Sequence, residues 1–354
     1  MEAASIPVRA TRAAPFEAVQ RFLSRYGLII VLLALPVGFA ASDLAHGHGL
    51  SHIIENLKDG VSNGAIWALV AIGYTLVYGI IELINFAHGD VFMIGSFVSF
   101  GMWGTVGVTL ATGTLGRVGG LIIAGAIAMI ACGSLNVMIE RVAYRPLRHA
   151  PKLAPLITAV GFSFILQNVG LEWLGGSQHG VDDLVGAQHI LFNIGGVRII
   201  NADVLAVGIT IPLVLLLVGF VHNSRLGKAM RATAQDPEAA RLMGINVDHT
   251  ISLTFLLGGL MAGAAGLIYA LYNTTIRFDQ GFEAGLIAFT AAVMGGIGNL
   301  QGAVLGGVII GCIQQISDDR INSTWTPAIV FAYLILIMVF RPQGLLGEET
   351  REAG

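Results

Sequence analysis

The chain has 354 residues with a mean hydropathy of +0.77; 55% are hydrophobic and only 12% are charged. Soluble domains carry about 25% charged residues, so this composition excludes a disordered chain and nearly excludes a water-soluble globular fold. The formal net charge of −3 offers no basic face for nucleic acid, and no nucleic-acid partner is expected. We therefore predict an all-α, polytopic transmembrane helix bundle.

Charge-free stretches divide the chain into nine apolar runs. A helix that crosses the ~30 Å hydrocarbon layer needs about 20 mainly apolar residues. Most of the runs have the length of one span. In chain order they are Tyr26–Ala41, Val61–Ile81, Val91–Leu115, Val118–Ile139, Leu153–Leu171, Val204–Val221, Thr250–Ile276, Ala284–Ser317 and Ile321–Phe340.

The run Ala284–Ser317 is too long for a single span. As one helix it would measure roughly 50 Å, at about 1.5 Å per residue. Its middle contains Gly295, Gly296, Gly298 and Asn299, and such a glycine cluster interrupts helices. The sequence therefore predicts two short segments here and about ten crossings in total, within a range of eight to ten.

Basic residues predict the orientation, because cytoplasmic loops carry an excess of Lys and Arg. Ten crossings place 14 of the 19 basic residues on one side. The predicted organisation is a cytoplasmic N-terminal arm (1–25), a transmembrane domain (26–340) with a long cytoplasmic loop (222–249), and a cytoplasmic tail (341–354). The basic residues assigned to the cytoplasmic side are Arg9, Arg12, Arg21, Arg25, Arg141, Arg145, Arg148, Lys152, Arg225, Lys228, Arg231, Arg241, Arg341 and Arg351.

The first 42 residues admit a second interpretation. Arginines, a 16-residue apolar run and then Ala40, Ala41 and Ser42 resemble a secretory signal with its cleavage site. A long multi-span chain usually keeps its first helix, so an uncleaved first span is the favoured prediction. Sequencing the mature N-terminus distinguishes the two.

Signatures of catalysis and metal binding are weak. No histidine is followed by glutamate, so the His-Glu-x-x-His zinc helix is absent, as is a phosphate-binding Gly-x4-Gly-Lys loop. Ser62 lies in a Gly-x-Ser-x-Gly pattern, but at the start of a membrane helix Ser is an ordinary cap. His46, His48 and His52 could hold a metal, but they lie in a glycine-rich loop, which does not fix a ligand geometry. We predict neither enzymatic activity nor a cofactor or metal.

A polar stretch separates the second and third apolar runs. Glu82, Asn85 and His88 recur every three residues and would share one face of a helix, with Asp90 close behind. Polar groups near the membrane interior are costly and tend to face a pathway. These four residues, with Gly295, Gly296, Gly298 and Asn299, are candidates for the translocation pathway. The alternative is a plain turn at the headgroups in which Asp90 caps the next helix.

The longest predicted cytoplasmic loop contains a short helix. Asp236 is a good N-cap, Pro237 suits the first helical position, and Gly244 ends the helix. Ala239, Ala240 and Met243 would form a small apolar face suited to a groove in a partner protein. The alternative is an interfacial helix that rests on the membrane.

Four motifs resemble those of the branched-chain amino-acid ABC transporter permeases of the LivH type. The resemblance covers about residues 55–345 and is weak in the first span and at both termini. Residues 62–79 read SNGAIWALVAIGYTLVYG, 84–90 read INFAHGD, 238–244 read EAARLMG, and 285–299 read GLIAFTAAVMGGIGN.

The resemblance implies a type II-like importer permease in the bacterial inner membrane. Its partners would be a second homologous permease (LivM-like), two ABC ATPase subunits and a periplasmic or lipoprotein solute-binding protein that delivers leucine, isoleucine or valine. Glu238, Ala239, Ala240 and Gly244 match the motif that couples such permeases to their ATPases. Urea, short amides or another small solute remain alternative cargoes. An ion-coupled carrier with Glu82, His88 and Asp90 as a proton relay is a third possibility.

Ten spans also suggest an internal symmetry. Spans two to five and seven to ten would enter the membrane from opposite sides, as inverted repeats do in many transporters. The helix breaks related by this symmetry would be Asn85–Asp90 and Gly295–Gly302.

Overall fold

The computed structural model describes residues 33, 36–43, 50–109, 112–148, 150–151 and 153–347. This part of the chain is mostly helical, which confirms the predicted all-α class. It also contains a π-helical segment at Glu140–Tyr144 and a 3₁₀ turn at Ser323–Trp325. From residue 50 onwards the described helices are α1 (Leu50–Ile81), α2 (His88–Val106), α3 (Thr114–Ile139), α4 (Leu153–Leu174), α5 (Asn201–Asn223), α6 (Arg225–Gln235), α7 (Pro237–Leu242), α8 (Val247–Asn273), α9 (Gln280–Gly295), α10 (Leu300–Arg320) and α11 (Thr326–Phe340).

Two small antiparallel ribbons, which the sequence analysis did not predict, cover one end of the bundle. Strand β1 (His179–Gly180) pairs with β4 (Thr275–Ile276), so that His179 faces Ile276. Strands β2 (Ile190–Ile194) and β3 (Val197–Ile200) form a hairpin before α5.

Seven helical stretches among the described residues are long and apolar enough to cross a membrane. The predicted count of about ten is therefore slightly high for this part of the chain. Helix α2 begins with polar residues, and α9 has 16 residues, which is short for a ~30 Å layer. The predicted first span lies largely outside the described residues. The seven stretches are Ser51–Ile81, Thr114–Tyr144, Leu153–Leu174, Asn201–Asn223, Val247–Asn273, Leu300–Arg320 and Ser323–Phe340.

The predicted interruption of the long apolar run is confirmed. Helix α9 ends at Gly295 and α10 begins at Leu300. Gly296 (φ 107°) and Gly298 (φ 91°) adopt conformations that only glycine takes without strain. Asn299 then caps α10, since its Oδ1 accepts a hydrogen bond from the Gly302 N–H at 3.0 Å.

Helices α1 and α8 form the interior of the bundle. Within their most apolar windows, 78% of the α1 residues and 72% of the α8 residues are buried, against 17% for α5. Small residues allow this close packing: a methyl group added at Gly263 would lie 2.6 Å from the Ala128 carbonyl oxygen. The poorly buried helices α4, α5 and α11 form the periphery.

Helices α8 and α1 run in opposite directions. Tyr144, just beyond α3, donates a hydrogen bond to the Ile84 carbonyl, just beyond the end of α1. The neighbouring Arg145 binds Asp248, in the first turn of α8. Helix α8 therefore begins at the end of the bundle where α1 ends. We call this the α7 end, because α7 immediately precedes α8.

An offset of 192 residues relates the first two helices of the predicted inverted repeats, α1 and α2 in one and α8 and α9 in the other. Helix α2 starts at residue 88 and α9 starts at residue 280. The motif Ile-x-Phe-x-x-Gly occurs at 84–89 and again at 276–281. Gly89 and Gly281 meet in the interior, where a methyl group on Gly281 would lie 2.9 Å from the Gly89 carbonyl oxygen.

This offset corrects the predicted pairing of helix breaks. The counterpart of residues 85–90 is 277–282, the start of α9, rather than Gly295–Gly302. The glycine-rich break corresponds instead to the connection between α2 and α3. The sequence-based pairing was wrong because it matched segments by their content of polar residues and glycine. The symmetry instead relates positions with the same backbone conformation, since Glu82 and Thr274 both have a positive φ.

Candidate functional site

The segment between α1 and α2 is irregular rather than helical. Helix α1 ends at Ile81, and Glu82 has a left-handed backbone with φ 51°. A left-handed residue cannot continue a right-handed helix. Glu82, Asn85 and His88 therefore do not share a helical face, and that prediction was wrong. Glu82 is exposed, whereas the chain from Ala87 onwards is buried.

Hydrogen bonds fix this irregular segment between α3 and α8. The Tyr144 hydroxyl donates to the Ile84 carbonyl at 3.0 Å and lies 3.3 Å from Asn85 Oδ1. Asn85 Nδ2 donates to Asn136 Oδ1 at 3.2 Å, and Asn136 Nδ2 donates to the Phe255 carbonyl at 2.7 Å. Non-helical backbone at membrane depth is tolerated where protein buries and satisfies it, and these bonds provide that.

His88 and Asp90 are completely buried at the start of α2. The His88 ring packs against Gly73 and lies edge-on to Tyr74, with centroids 4.9 Å apart. Asp90 Oδ2 accepts a hydrogen bond from Ser163 Oγ at 2.5 Å. Asp90 is not the helix cap, because Ala87 occupies that position. In the described part of the chain, both His88 ring nitrogens and Asp90 Oδ1 lack a hydrogen-bond partner.

The glycine break of α9 and α10 is covered by the chain that follows α11. Leu346 N–H donates to the Gly295 carbonyl at 2.9 Å, and Asn299 Nδ2 donates to the Leu346 carbonyl at 2.9 Å. A methyl group at Gly296 would collide with the backbone of Gly347. The break between α9 and α10 therefore packs against the segment after α11, through contacts of Gly295, Gly296 and Asn299.

A cavity of about 730 Å³ opens at the α7 end. The end of α1, the end of α5, helix α6 and the α9–α10 break surround it. Gly298 and Asn299 line it, together with His222 and Arg231. Of the predicted pathway residues, only Gly298 and Asn299 line this cavity. Asn85, His88 and Asp90 instead lie inside the protein.

The predicted short helix is present as α7, with the predicted ends. Asp236 Oδ1 accepts hydrogen bonds from the N–H groups of Glu238 and Ala239, both at 2.9 Å. Pro237 is the first helical residue, and Gly244 ends the turn with φ 83°. These contacts use the backbone donors that a helix start leaves free.

The exposed apolar face of α7 differs from the predicted one. Ala240 is only 4% exposed and packs inward, whereas Leu242 is 89% and Met243 82% exposed. Ala239 is also exposed and lies three and four residues before them, on the same side of the helix. We call Ala239, Leu242 and Met243 the docking face. Glu238 is exposed beside it.

Ion pairs join the start of α8 to the end of α3. Arg148 donates to the fully buried Glu140 and, at 2.5 Å, to Asp248 Oδ1. Arg145 reaches Asp248 Oδ2 at 2.8 Å, and Ser252 Oγ donates to Glu140 Oε2 at 2.7 Å. We call these residues the α3–α8 clamp. Sequence reasoning missed them because it treated the arginines only as signals of orientation.

The clamp connects two otherwise separate features. Glu140 and Tyr144 belong to the same π-helical segment, a geometry that is frequent at functional sites. One end of this segment holds Asp248, four residues after Gly244, through Arg148. Its other end holds the irregular segment through Tyr144.

A metal site formed by three or more His, Cys, Asp or Glu side chains is not found among the described residues. Of the three clustered histidines, only His52 lies within them. Its ring contacts Asn56, Asp319 and Arg320.

Inverted repeats, buried irregular backbone and a peripheral ring of apolar helices define a multi-pass membrane protein of the transporter type. The family model for the permease component of branched-chain amino acid transport systems matches residues 56–339. The chain belongs to this family.

Two curated relatives match along nearly their whole length. The chain is 39% identical over 305 residues to the high-affinity branched-chain amino acid transport system permease protein BraD of Pseudomonas aeruginosa, covering 85% of this chain and 98% of the relative. It is 39% identical over 308 residues to LivH of Escherichia coli, covering 85% and 97%. The fructose import permease protein FruG of Bifidobacterium longum is 25% identical over 196 residues, covering 53% and 56%.

Proposed function

We propose that this chain is the membrane-spanning permease subunit of an ATP-driven importer for leucine, isoleucine and valine in a bacterial cytoplasmic membrane. The observation that carries the proposal is the 39% identity to BraD and LivH over 85% of the chain. The family match over residues 56–339 spans both repeats, α7 and the clamp. The chain itself performs no bond chemistry and needs no cofactor.

The exposed surfaces of the chain are compatible with the partners that the family implies. The docking face fits a groove in an ABC ATPase, two of which would serve one transporter. The apolar helices α4, α5 and α11 offer their surfaces to lipid and to a second, LivM-like permease. A solute-binding protein would deliver the amino acid at the end opposite α7.

The α7 end faces the cytoplasm in this proposal. The connections at that end contain most of the loop arginines, as the positive-inside rule requires. The N-terminal arm (1–25), the loop at 222–249 and the tail (341–354) are then cytoplasmic. ATP hydrolysis takes place on the partner subunits.

Coupling uses the clamp in this mechanism. Closure of the ATPases displaces α7 and, through the backbone of 243–247, the first turn of α8. Asp248 transmits this displacement to Arg148 and the π-helical segment, and Tyr144 transmits it to the irregular segment at 82–87. Packed elements with two discrete arrangements change access in this way.

Co-purification followed by identification of the subunits tests the proposal. Tagged protein from its native membrane should bring two ATPases and a second permease with it. The binding protein encoded alongside should bind valine; binding of urea or a short amide instead would reassign the cargo. Uptake that stops when the proton gradient collapses at constant ATP would support an ion-coupled carrier.

A further inference from the structure

A second cavity lies near the opposite end of the bundle, in the half away from α7. It measures about 100 Å³ and is bordered by α1, the end of α8, the start of α9 and α10. One water molecule needs a cavity of about 10–15 Å³, so this cavity accommodates several non-hydrogen atoms. In the proposed orientation it faces the side from which solute arrives.

Glu283 provides the one carboxylate in the lining of this cavity. It lies in the first turn of α9 and, among the described residues, has neither a hydrogen bond nor an ion pair. Its nearby cation, Arg277, is engaged by Asp279 through two hydrogen bonds of 2.8 Å. The Glu283 side chain is exposed, so its carboxylate is accessible to a solute that enters the cavity from this side.

Two aromatic rings line the same cavity. Trp67 and Tyr269 line the cavity with ring centroids 6.1 Å apart. Trp67 Nε1 donates to Gln314 Oε1 at 2.7 Å, and this bond fixes the indole ring. Aromatic faces attract cations, and a nearby carboxylate adds charge pairing. Ile287, one turn after Glu283, supplies an apolar wall.

We propose that this cavity binds the ammonium group of a zwitterionic aliphatic amino acid during entry, with Glu283 as its counter-ion. Trp67 and Tyr269 surround the cation, and the aliphatic side chain lies along Ile287. This proposal rests on the proposed function and names a subsite for its substrate. None of the eight pathway candidates predicted from the sequence lines this cavity.

The test uses the complete transporter in proteoliposomes with saturating, valine-loaded binding protein. Valine uptake per ATP hydrolysed should fall about tenfold to a hundredfold in Glu283→Gln, the range for losing a hydrogen bond to a charged group. Glu283→Asp, which keeps the charge, should retain more uptake than Glu283→Gln. Glu172→Gln is the matched control, because Glu172 is exposed near the end of α4 and outside the cavity.

Uptake per ATP at the wild-type level in Glu283→Gln would overturn the subsite while leaving the proposed function intact. Equal loss in Glu283→Gln and Glu283→Asp would also overturn it, because the carboxylate charge would not matter. A third outcome concerns the buffer cation: if valine uptake is lost when choline replaces potassium at the same valine concentration, the cavity binds a free metal cation instead. Absence of valine uptake by the wild-type transporter would contradict the proposed function itself.

Discussion

Glu82 and Thr274 occupy equivalent positions in the two inverted repeats: both have a left-handed backbone, with φ of 51° and 53°, and they lie 192 residues apart. Each ends the first helix of its repeat and turns the chain into the irregular segment before the next helix. They are the only non-glycine residues with positive φ in the described part of the chain. At these equivalent positions the two repeats therefore share a backbone conformation, although the side chains differ.

Replacing Thr274 with glycine should stabilise the protein. A left-handed conformation costs an L-residue about 1–2 kcal/mol, and a β-branched residue is particularly strained there. Thermal unfolding of the purified protein should show a higher midpoint for Thr274→Gly. Thr105→Gly, in the exposed last turn of α2, is the control and should lower the midpoint. A lower midpoint for both would contradict the assigned strain.

Substitution of Gly89 with alanine should destabilise the meeting point of α2 and α9. The added methyl group would overlap the Gly281 carbonyl oxygen and lie 2.6 Å from Gly285 Cα. Overpacking of this kind costs about 1–3 kcal/mol. Gly161→Ala in α4 is the matched control, since nothing lies within 4 Å of its new methyl group. Equal stability of the two variants would contradict the described contact.

A charge on the docking face should prevent ATPase binding. Leu242→Asp places a carboxylate on a residue that is 89% exposed, so the permease should fold and insert while the ATPases no longer co-purify. Leu115→Asp, also at an 89% exposed position but at the start of α3, should leave the complex intact. Retention of the ATPases by Leu242→Asp would exclude this face as their binding site.

Breaking the α3–α8 clamp should uncouple transport from ATP hydrolysis. In Asp248→Asn, Arg145 and Arg148 lose their shared carboxylate, so ATPase activity should persist while valine uptake falls about tenfold. A double-mutant cycle with Arg148→Gln measures the interaction, and close charge pairs typically show coupling of about 0.5–3 kcal/mol. Glu55→Gln, which breaks an exposed pair with Arg198 near the start of α1, is the control. Additive effects of the two clamp substitutions would contradict a shared role.

Local signals in the sequence predicted much of the fold. The lengths of the apolar runs predicted most of the spans. Gly296 and Gly298 predicted the break between α9 and α10, and Asp236 and Gly244 predicted the two ends of α7. These features depend on nearby residues: a cap, a proline or a glycine acts within one turn. That is why they can be derived from one chain.

Long-range contacts could not be derived in this way. The Asp248–Arg148 pair joins residues 100 positions apart, and Ile84 receives its hydrogen bond from a residue 60 positions away. Ala240 is buried because of the way α7 packs against the rest of the protein. The helical spacing of residues within α7 does not determine which of its faces is buried. Glu283 escaped notice because its cavity is formed by four helices that only the fold brings together.

Uptake of radiolabelled valine into proteoliposomes tests the central claim most directly. The permease pair with loaded binding protein should accumulate valine only when the ATPases and ATP are also present, and Leu242→Asp should abolish that accumulation. Accumulation by vesicles that contain this chain alone, without ATPases or ATP, would contradict the account.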